Sequence, residues 1–219
     1  MQRYIFRPPP LFEFELKDLA EITHKKLQLS GVPHRIDFYQ IFRFEDGKIV
    51  EHWDNLQETP KQSNPSGRTM TDGTTEIKDL DKTEQNKVLV RNFVEDILVN
   101  GRMEKLAGYF DGDNYIQHNP QIPDQLSGLG ATLEALAKQG IFMKYDTIQK
   151  VLGEGNFVLT LSEGHFGNAH NTFYDLFRVK NGKIAEHWDV IKPTLVKHYV
   201  LCISSSLTFL SDKSVSAVR

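Results

Sequence analysis

Thr172 to Pro193 read TFYDLFRVKNGKIAEHWDVIKP, and the fold turns on how this stretch is folded back on itself. Phe, Tyr, Leu and Val dominate the first arm, and Asn181-Gly182 is a strong hairpin-turn signal. The loop length decides which side chains share a face, because a slip of one residue turns a whole strand over. A two-residue loop, Asn181-Gly182, pairs Val179 with Ile184. A three-residue loop, Lys180-Asn181-Gly182 with Gly182 left-handed in a bulge, pairs Val179 with Lys183. The three-residue reading is preferred. It puts Phe173, Asp175, Phe177 and Val179 on one face with Ala185, His187, Asp189 and Ile191. It leaves Tyr174, Leu176, Arg178, Ile184, Glu186, Trp188 and Val190 on the other. The first face is mostly apolar, so it is the one expected to be buried. It also carries two carboxylates and an imidazole, which are costly to bury without a partner or a task.

The stretch occurs twice. Residues 38–54, FYQIFRFEDGKIVEHWD, match residues 173–189, FYDLFRVKNGKIAEHWD, at an offset of 135 residues. This is an internal duplication with a domain-sized period, too long for a solenoid repeat. Too few residues precede the first copy for a whole unit, so it reads as the tail of a domain that lacks its front half.

The chain has 219 residues, a length that suits one and a half units of about 130 residues. Its net charge is −3 and it shows no Arg-rich run, which speaks against a nucleic-acid partner. No apolar run approaches membrane-spanning length and no apolar leader follows Arg3 and Arg7. The single cysteine, Cys202, cannot close an internal disulfide. A cytoplasmic, reducing location is the expectation.

In chain order, residues 1–58 are expected to hold the half copy, with strands near Leu19–Leu29 and Asp37–Gln57 after an irregular lead-in. Residues 59–80, rich in Pro, Gly, Ser, Thr and Asn, read as a linker. Residues 81–195 form the complete unit and residues 196–219 a tail. In the complete unit, Asp81 with Glu84 suggests a capping box that opens a helix reaching Asn100-Gly101. Met103–Phe110 is a short second helix and Ser127–Gln139 a third. Strands are expected at Asn114–His118, Phe142–Leu152, Phe157–His165 and in the hairpin. Helices first and a meander after indicate an α+β unit with helices on one sheet face.

Tyr115-Ile116-Gln117-His118-Asn119-Pro120, the Gly-containing third helix and the closing FYDLFRVKNGKIAEHWD together resemble the SnoaL-like polyketide cyclase family, and most its subgroup of predicted aldol-condensation-catalysing enzymes. The resemblance covers about Lys82 to Pro193, and Asp37 to Gln57 a second time. It implies a nuclear-transport-factor-2-like cone, three helices closing a curved antiparallel sheet over a pocket, and a dimer formed through the sheet. It implies that Asp189 is the acid/base acting on an acidic C–H. The family's assisting histidine, one strand back, is replaced here by Asp175. The family's pocket asparagine matches Asn119 or, with a small shift, His118 or Gln117.

The candidate catalytic residues are therefore Asp189, Asp175 and His187. Tyr115, Gln117, His118, Asn119 and Phe173 are the candidate substrate contacts. His187 could also serve only to orient Asp189 or pair with Asp175. The histidines show no fixed metal-ligand spacing, so neither a metal nor a cofactor is expected. Trp53 and Trp188 fall on the face away from the acids and suit packing better than substrate contact. The implied function is a cofactor-independent lyase or isomerase that removes an α-proton from a carbonyl or polyketide-like small molecule. The alternative is a non-catalytic module of the same fold that binds a small ligand or mediates dimerisation. The half copy cannot cover its own apolar residues Phe38, Phe42, Phe44, Val50 and Leu56, so it is expected to pack them on the outer sheet face of the complete unit, at Tyr174, Leu176 and Trp188, as an intrachain pseudo-dimer.

Overall fold

The computed structural model describes residues 3–5, 25–29, 32–45 and 48–194, with side chains from 39–43 and 48–194. The expected tail, 196–219, and most of the lead-in lie outside these residues.

Two sheets pack face to face. The first has four strands: β1 (Arg3–Ile5), β2 (Lys25–Leu29), β3 (Val32–Glu45) and β4 (Lys48–Glu58). The long β3 pairs with β4 along one edge and with β1 and β2 along the other. The second sheet has the order β5-β9-β8-β7-β6, from β5 (Ile116–Gln117), β6 (Met143–Glu154), β7 (Phe157–Phe166), β8 (Ala169–Lys180) and β9 (Lys183–Pro193). The sheet is mixed rather than wholly antiparallel, because β5 runs parallel to β9. The strand expected at Asn114–His118 shrinks to Ile116–Gln117, since Asn119-Pro120 turns the chain away.

Three helical segments close the other face of the second sheet. α1 (Thr83–Phe93) runs directly into a π-helical stretch, Val94–Val99, and Met103–Tyr109 is a 3-10 segment. α2 (Leu126–Lys138) follows β5. The unit is an α+β cone, as expected. The capping box is not formed. Leu80–Lys82 makes a 3-10 turn, α1 begins at Thr83 without a side-chain cap, and Glu84 instead pairs with Lys87 at 2.9 Å.

The hairpin differs from the expected loop. Asn181 and Gly182 form a two-residue loop with φ of 52° and 71°, and Val179 pairs with Ile184. This is the pattern of the turn that matches strand twist, which needs positive φ at both central residues. One residue further along, the register slips between Arg178 and Val179, so that Arg178 faces Glu186 and Ala185 is the extra residue of a bulge. The bulge restores the parity that the short loop would have lost. Asp175 pairs with Asp189 and Phe177 with His187, on the inner face. Ile184, expected outside, is buried inside with Val179. The half copy repeats the device: Glu45 pairs with Lys48, and a slip at Arg43/Phe44 skips Val50, the counterpart of Ala185.

The inner core gathers Val90, Phe93, Val94 and Ile97 against Phe110, Phe173, Phe177, Val179 and Ile184. The second core lies between the sheets. Tyr39, Ile41, Trp53 and Leu56 of the half copy meet Leu159, Leu161, Tyr174, Leu176, Trp188 and Val190. Equivalent positions of the two copies meet each other: the Tyr39 and Tyr174 rings are 6.3 Å apart, and Asn55 Nδ2 donates to Val190 O at 2.9 Å. Both pairs are separated by the repeat offset, which is the signature of a self-complementary, two-fold interface built within one chain. The surface used is the odd-numbered face, Tyr39, Ile41 and Trp53. Phe42 lies on the opposite side, stacked 4.5 Å from His52. Its counterparts in the complete unit, Phe177 and His187, repeat that stack at 4.6 Å.

Candidate active site

β8 and β9 bring Asp175, His187 and Asp189 together because alternate residues of paired strands project to one face. All three are buried. Asp189 accepts two hydrogen bonds from Asn119 Nδ2, at 3.0 and 2.7 Å. Burial pushes its carboxyl up from the ordinary value. His187 opposes that shift, the facing Asp175 adds to it, and the Asn119 hydrogen bond opposes it again.

Asp175 is held differently. Tyr145 Oη donates to both of its oxygens at 3.1 Å, and His187 Nε2 lies 3.1 Å from Oδ1. His187 Nδ1 lies 3.1 Å from Gln117 Oε1. That oxygen also accepts the backbone N–H groups of His118 and Asn119, at 2.9 and 3.0 Å, which identifies it as the acceptor end of the amide. His187 thus bridges Gln117 and Asp175, one at each ring nitrogen. Gln117 Nε2 donates to Tyr115 Oη at 3.0 Å. Burial, and after it the negative charges of Asp175 and Asp189, hold the Tyr115 and Tyr145 phenols well above their ordinary value, so both stay neutral donors.

These groups sit at one end of a cavity of about 290 Å³. Tyr115, Gln117, Asn119, Tyr145, Asp175, His187 and Asp189 supply its polar wall. Phe93, Leu98, Phe177, Met143 and Ile191 line the apolar part, and α2 adds Leu129, Leu133 and Leu136. A π-helical stretch offsets the side chains of a helix by a fraction of a turn, and the wall residue Leu98 lies within it while Phe93 immediately precedes it. The half copy reaches the same cavity with Gln57, whose Oε1 accepts the Ile191 N–H at 3.1 Å.

Two candidates stand elsewhere. Phe173 is fully buried behind Tyr145, stacked at 4.2 Å, and is absent from the cavity wall. It fixes the ring that serves Asp175. His118 lies on the outer face of the sheet because it follows Gln117 on a strand, where neighbours point opposite ways. Its ring stacks on Trp188 at 4.6 Å. Its Nδ1 meets Thr69 O and Asp72 Oδ1 at 2.9 and 2.8 Å, and its Nε2 meets Glu186 Oε1 at 2.8 Å. Glu186 Oε2 accepts from Arg178 Nε at 2.6 Å. Burial works to raise the Glu186 carboxyl, but His118 and Arg178 outweigh it and hold it below the ordinary value. Asn119, Tyr145 and Gln57 illustrate three degrees of legibility. Asn119, expected to touch substrate, lines the cavity wall and also holds Asp189. The Tyr145 partnership and Gln57 went unpredicted, though the position of Gln57 just beyond the repeated motif was a usable signal.

Asp175, His187 and Asp189 place one ligand atom each within 4.8 Å of one another, the one such group among the described residues. Their oxygens already accept from Tyr145 and Asn119, donors that a cation would have to displace. No helix among the described residues is long and apolar enough to cross a membrane.

Residues 90–187 match the family model of the SnoaL-like domain. No curated protein matches the chain. Solved structures similar to it include a protein of Kribbella flavida DSM 17836 provisionally described as a ketosteroid isomerase, 16% identical, covering 58% of this chain and 93% of its own, with a TM-score of 0.41. IdmH of Streptomyces antibioticus, provisionally described as a polyketide cyclase, is 20% identical over 49% of this chain and 91% of its own, with a TM-score of 0.38. An NTF2-like protein of Burkholderia xenovorans LB400 is 17% identical over 50% of this chain and 91% of its own, with a TM-score of 0.39.

Proposed function

We propose that the chain is an enzyme that removes a proton from carbon next to a carbonyl group, with Asp189 as the base. The observation that carries this is the asymmetry of the two facing aspartates at the cavity. Asp175 is engaged by Tyr145 and His187, whereas Asp189 accepts its side-chain hydrogen bonds, among the described residues, from Asn119 and its basicity is raised by burial. A raised carboxylate base stands closer to neutral operating pH, which favours proton transfer. Its proton passes from substrate carbon to a carboxylate oxygen, leaving an enolate. Tyr115, which accepts from Gln117 and therefore has its own O–H hydrogen to give, is the donor for the enolate oxygen. Isomerisation follows if Asp189 returns the proton to another carbon, and aldol-type closure follows if the enolate attacks a second carbonyl. The apolar wall selects a small, largely apolar carbonyl compound.

The test is deuterium uptake from heavy water at the acidic carbon of a panel of cyclic and aryl 1,3-dicarbonyl probes, chosen from binders that raise the melting temperature. Uptake catalysed by the wild type and lost in Asp189→Asn supports the reading. Equal uptake in the variant removes Asp189 from the base role.

A further inference from the structure

We infer that the segment joining the two copies is part of this site, with Asn64 as the positioning residue that holds the 117–122 turn and, through it, the Asn119 carboxamide against Asp189. Composition makes residues 59–80 look like a slack connection, yet Asn64 is buried to 4% exposure. Its Nδ2 donates to Gln117 O at 2.8 Å and to Ile122 O at 2.9 Å, the two ends of the turn. Its Oδ1 accepts the Ser66 and Arg68 N–H groups, both at 2.9 Å. The backbone closes the same small loop, with Asn64 N–H donating to Arg68 O at 2.8 Å. Only a carboxamide both gives and takes hydrogen bonds in this way.

A second clamp grips the far side of the turn. Asp124 Oδ1 accepts the Gln117 N–H at 3.0 Å. Its Oδ2 receives Arg68 Nε at 3.1 Å, and its own N–H donates to Ser66 Oγ at 2.8 Å. Between the clamps, Asn119 Oδ1 accepts the Gln121 N–H at 2.9 Å, which leaves Nδ2 pointing at Asp189. A shift of the turn therefore moves the neutral side-chain donor that Asp189 has among the described residues. The strap acts on the chemistry without touching substrate.

This inference rests on Asp189 being the site's base, so its test reads that carboxyl without a substrate. The full-length protein, labelled with ¹³C at the aspartate side chains, is titrated by NMR. The ionisable groups facing Asp189 are Asp175, His187, Tyr145 and Tyr115, with His118 behind the sheet, and every variant leaves them in place. Asn119→Ala removes the donor and sets the largest displacement of the Asp189 midpoint toward higher pH. Asn64→Ala is expected to move the midpoint in the same direction by part of that amount, and Arg68→Ala by less. Asn156→Ala is the control: it loosens the other end of the strap, where Asn156 Oδ1 accepts the Lys78 N–H at 2.7 Å, and is expected to lower the melting temperature while leaving the midpoint in place. An unmoved midpoint in Asn64→Ala, or an equal movement in Asn156→Ala, overturns the inference. If Asn64→Ala does not fold, Arg68→Ala decides it by the same criterion. A deuterium-uptake failure with a moved midpoint would count against the proposed reaction and not against the strap.

Discussion

At Asp189 the carboxyl is buried beside a second carboxyl, and its folded-state value stands above the unfolded one. The sign of the linkage follows. The ionised form is disfavoured in the fold, so the stability Asp189 contributes is present in acid and lost as pH rises through its raised value. Asp189→Asn is therefore expected to melt no lower than the wild type at neutral pH, and the difference between them should shrink as pH falls through that value. Catalysed deuterium uptake should run the other way, rising with pH as Asp189 ionises and absent from the variant at every pH. Asp175 is engaged by His187 and Tyr145 together, so Asp175→Asn disturbs two buried hydrogen bonds and should cost about 2 kcal/mol, read by chemical denaturation. The sequence shows that these residues share a face. It does not show which acid is engaged, because the partners Tyr145, Gln117 and Asn119 come from other strands and turns.

Among the elements, the β8–β9 hairpin shows where pattern reading stops. The alternation of Phe173, Asp175 and Phe177 with His187, Asp189 and Ile191 correctly implied a common face, but the loop assumed to produce it was wrong. A two-residue turn plus a bulge at Ala185 gives the same parity as a three-residue loop for all residues beyond the bulge, and differs only at Ile184. Polar and apolar spacing cannot separate the two. Deleting Ala185 should leave Val179 opposite Ile184 and Arg178 opposite Glu186 in an unbroken ladder, so the mutant is expected to fold with His187 and Asp189 still facing the cavity, and a mutant with the inner and outer residues of β9 exchanged would contradict this register. The strap offers a second test. Gly73 has φ of +113°, and an added Cβ would lie 2.4 Å from Glu186 Oε1 and 2.7 Å from Trp188 Cζ2. The composition suggested a free linker because glycine, serine and asparagine serve flexible and tightly seated segments alike. Gly73→Ala is expected to cost about 3 kcal/mol through combined backbone strain and lost seating of the strap, measured by urea unfolding.

At the scale of the molecule, the sheet that carries the first copy of the repeated stretch closes the outer face of the sheet that carries the second. The duplication was legible because eleven identities stand in register, and the need to cover an apolar sheet was legible from strand count alone. The face used was not, since Phe38, Phe42 and Phe44 look as apolar as Tyr39, Ile41 and Trp53. Ile41 is fully buried between the sheets. Ile41→Ala is expected to cost about 2–4 kcal/mol. Removing residues 1–58 would uncover Leu159, Leu161, Tyr174, Leu176, Trp188 and Val190 together. The full chain should sediment as a monomer of 25.1 kDa, and the truncated chain should self-associate or melt markedly lower. A monomeric truncation with an unchanged melting temperature would show that the intersheet core contributes nothing.

The most direct test of the account is the deuterium uptake of a bound 1,3-dicarbonyl probe, compared among the wild type, Asp189→Asn and Tyr145→Phe at neutral pH. The account predicts catalysed uptake in the wild type, none above background in Asp189→Asn, and a reduced but measurable rate in Tyr145→Phe, which keeps the base and loses only a donor to Asp175. Uptake in Asp189→Asn at the wild-type rate would contradict it.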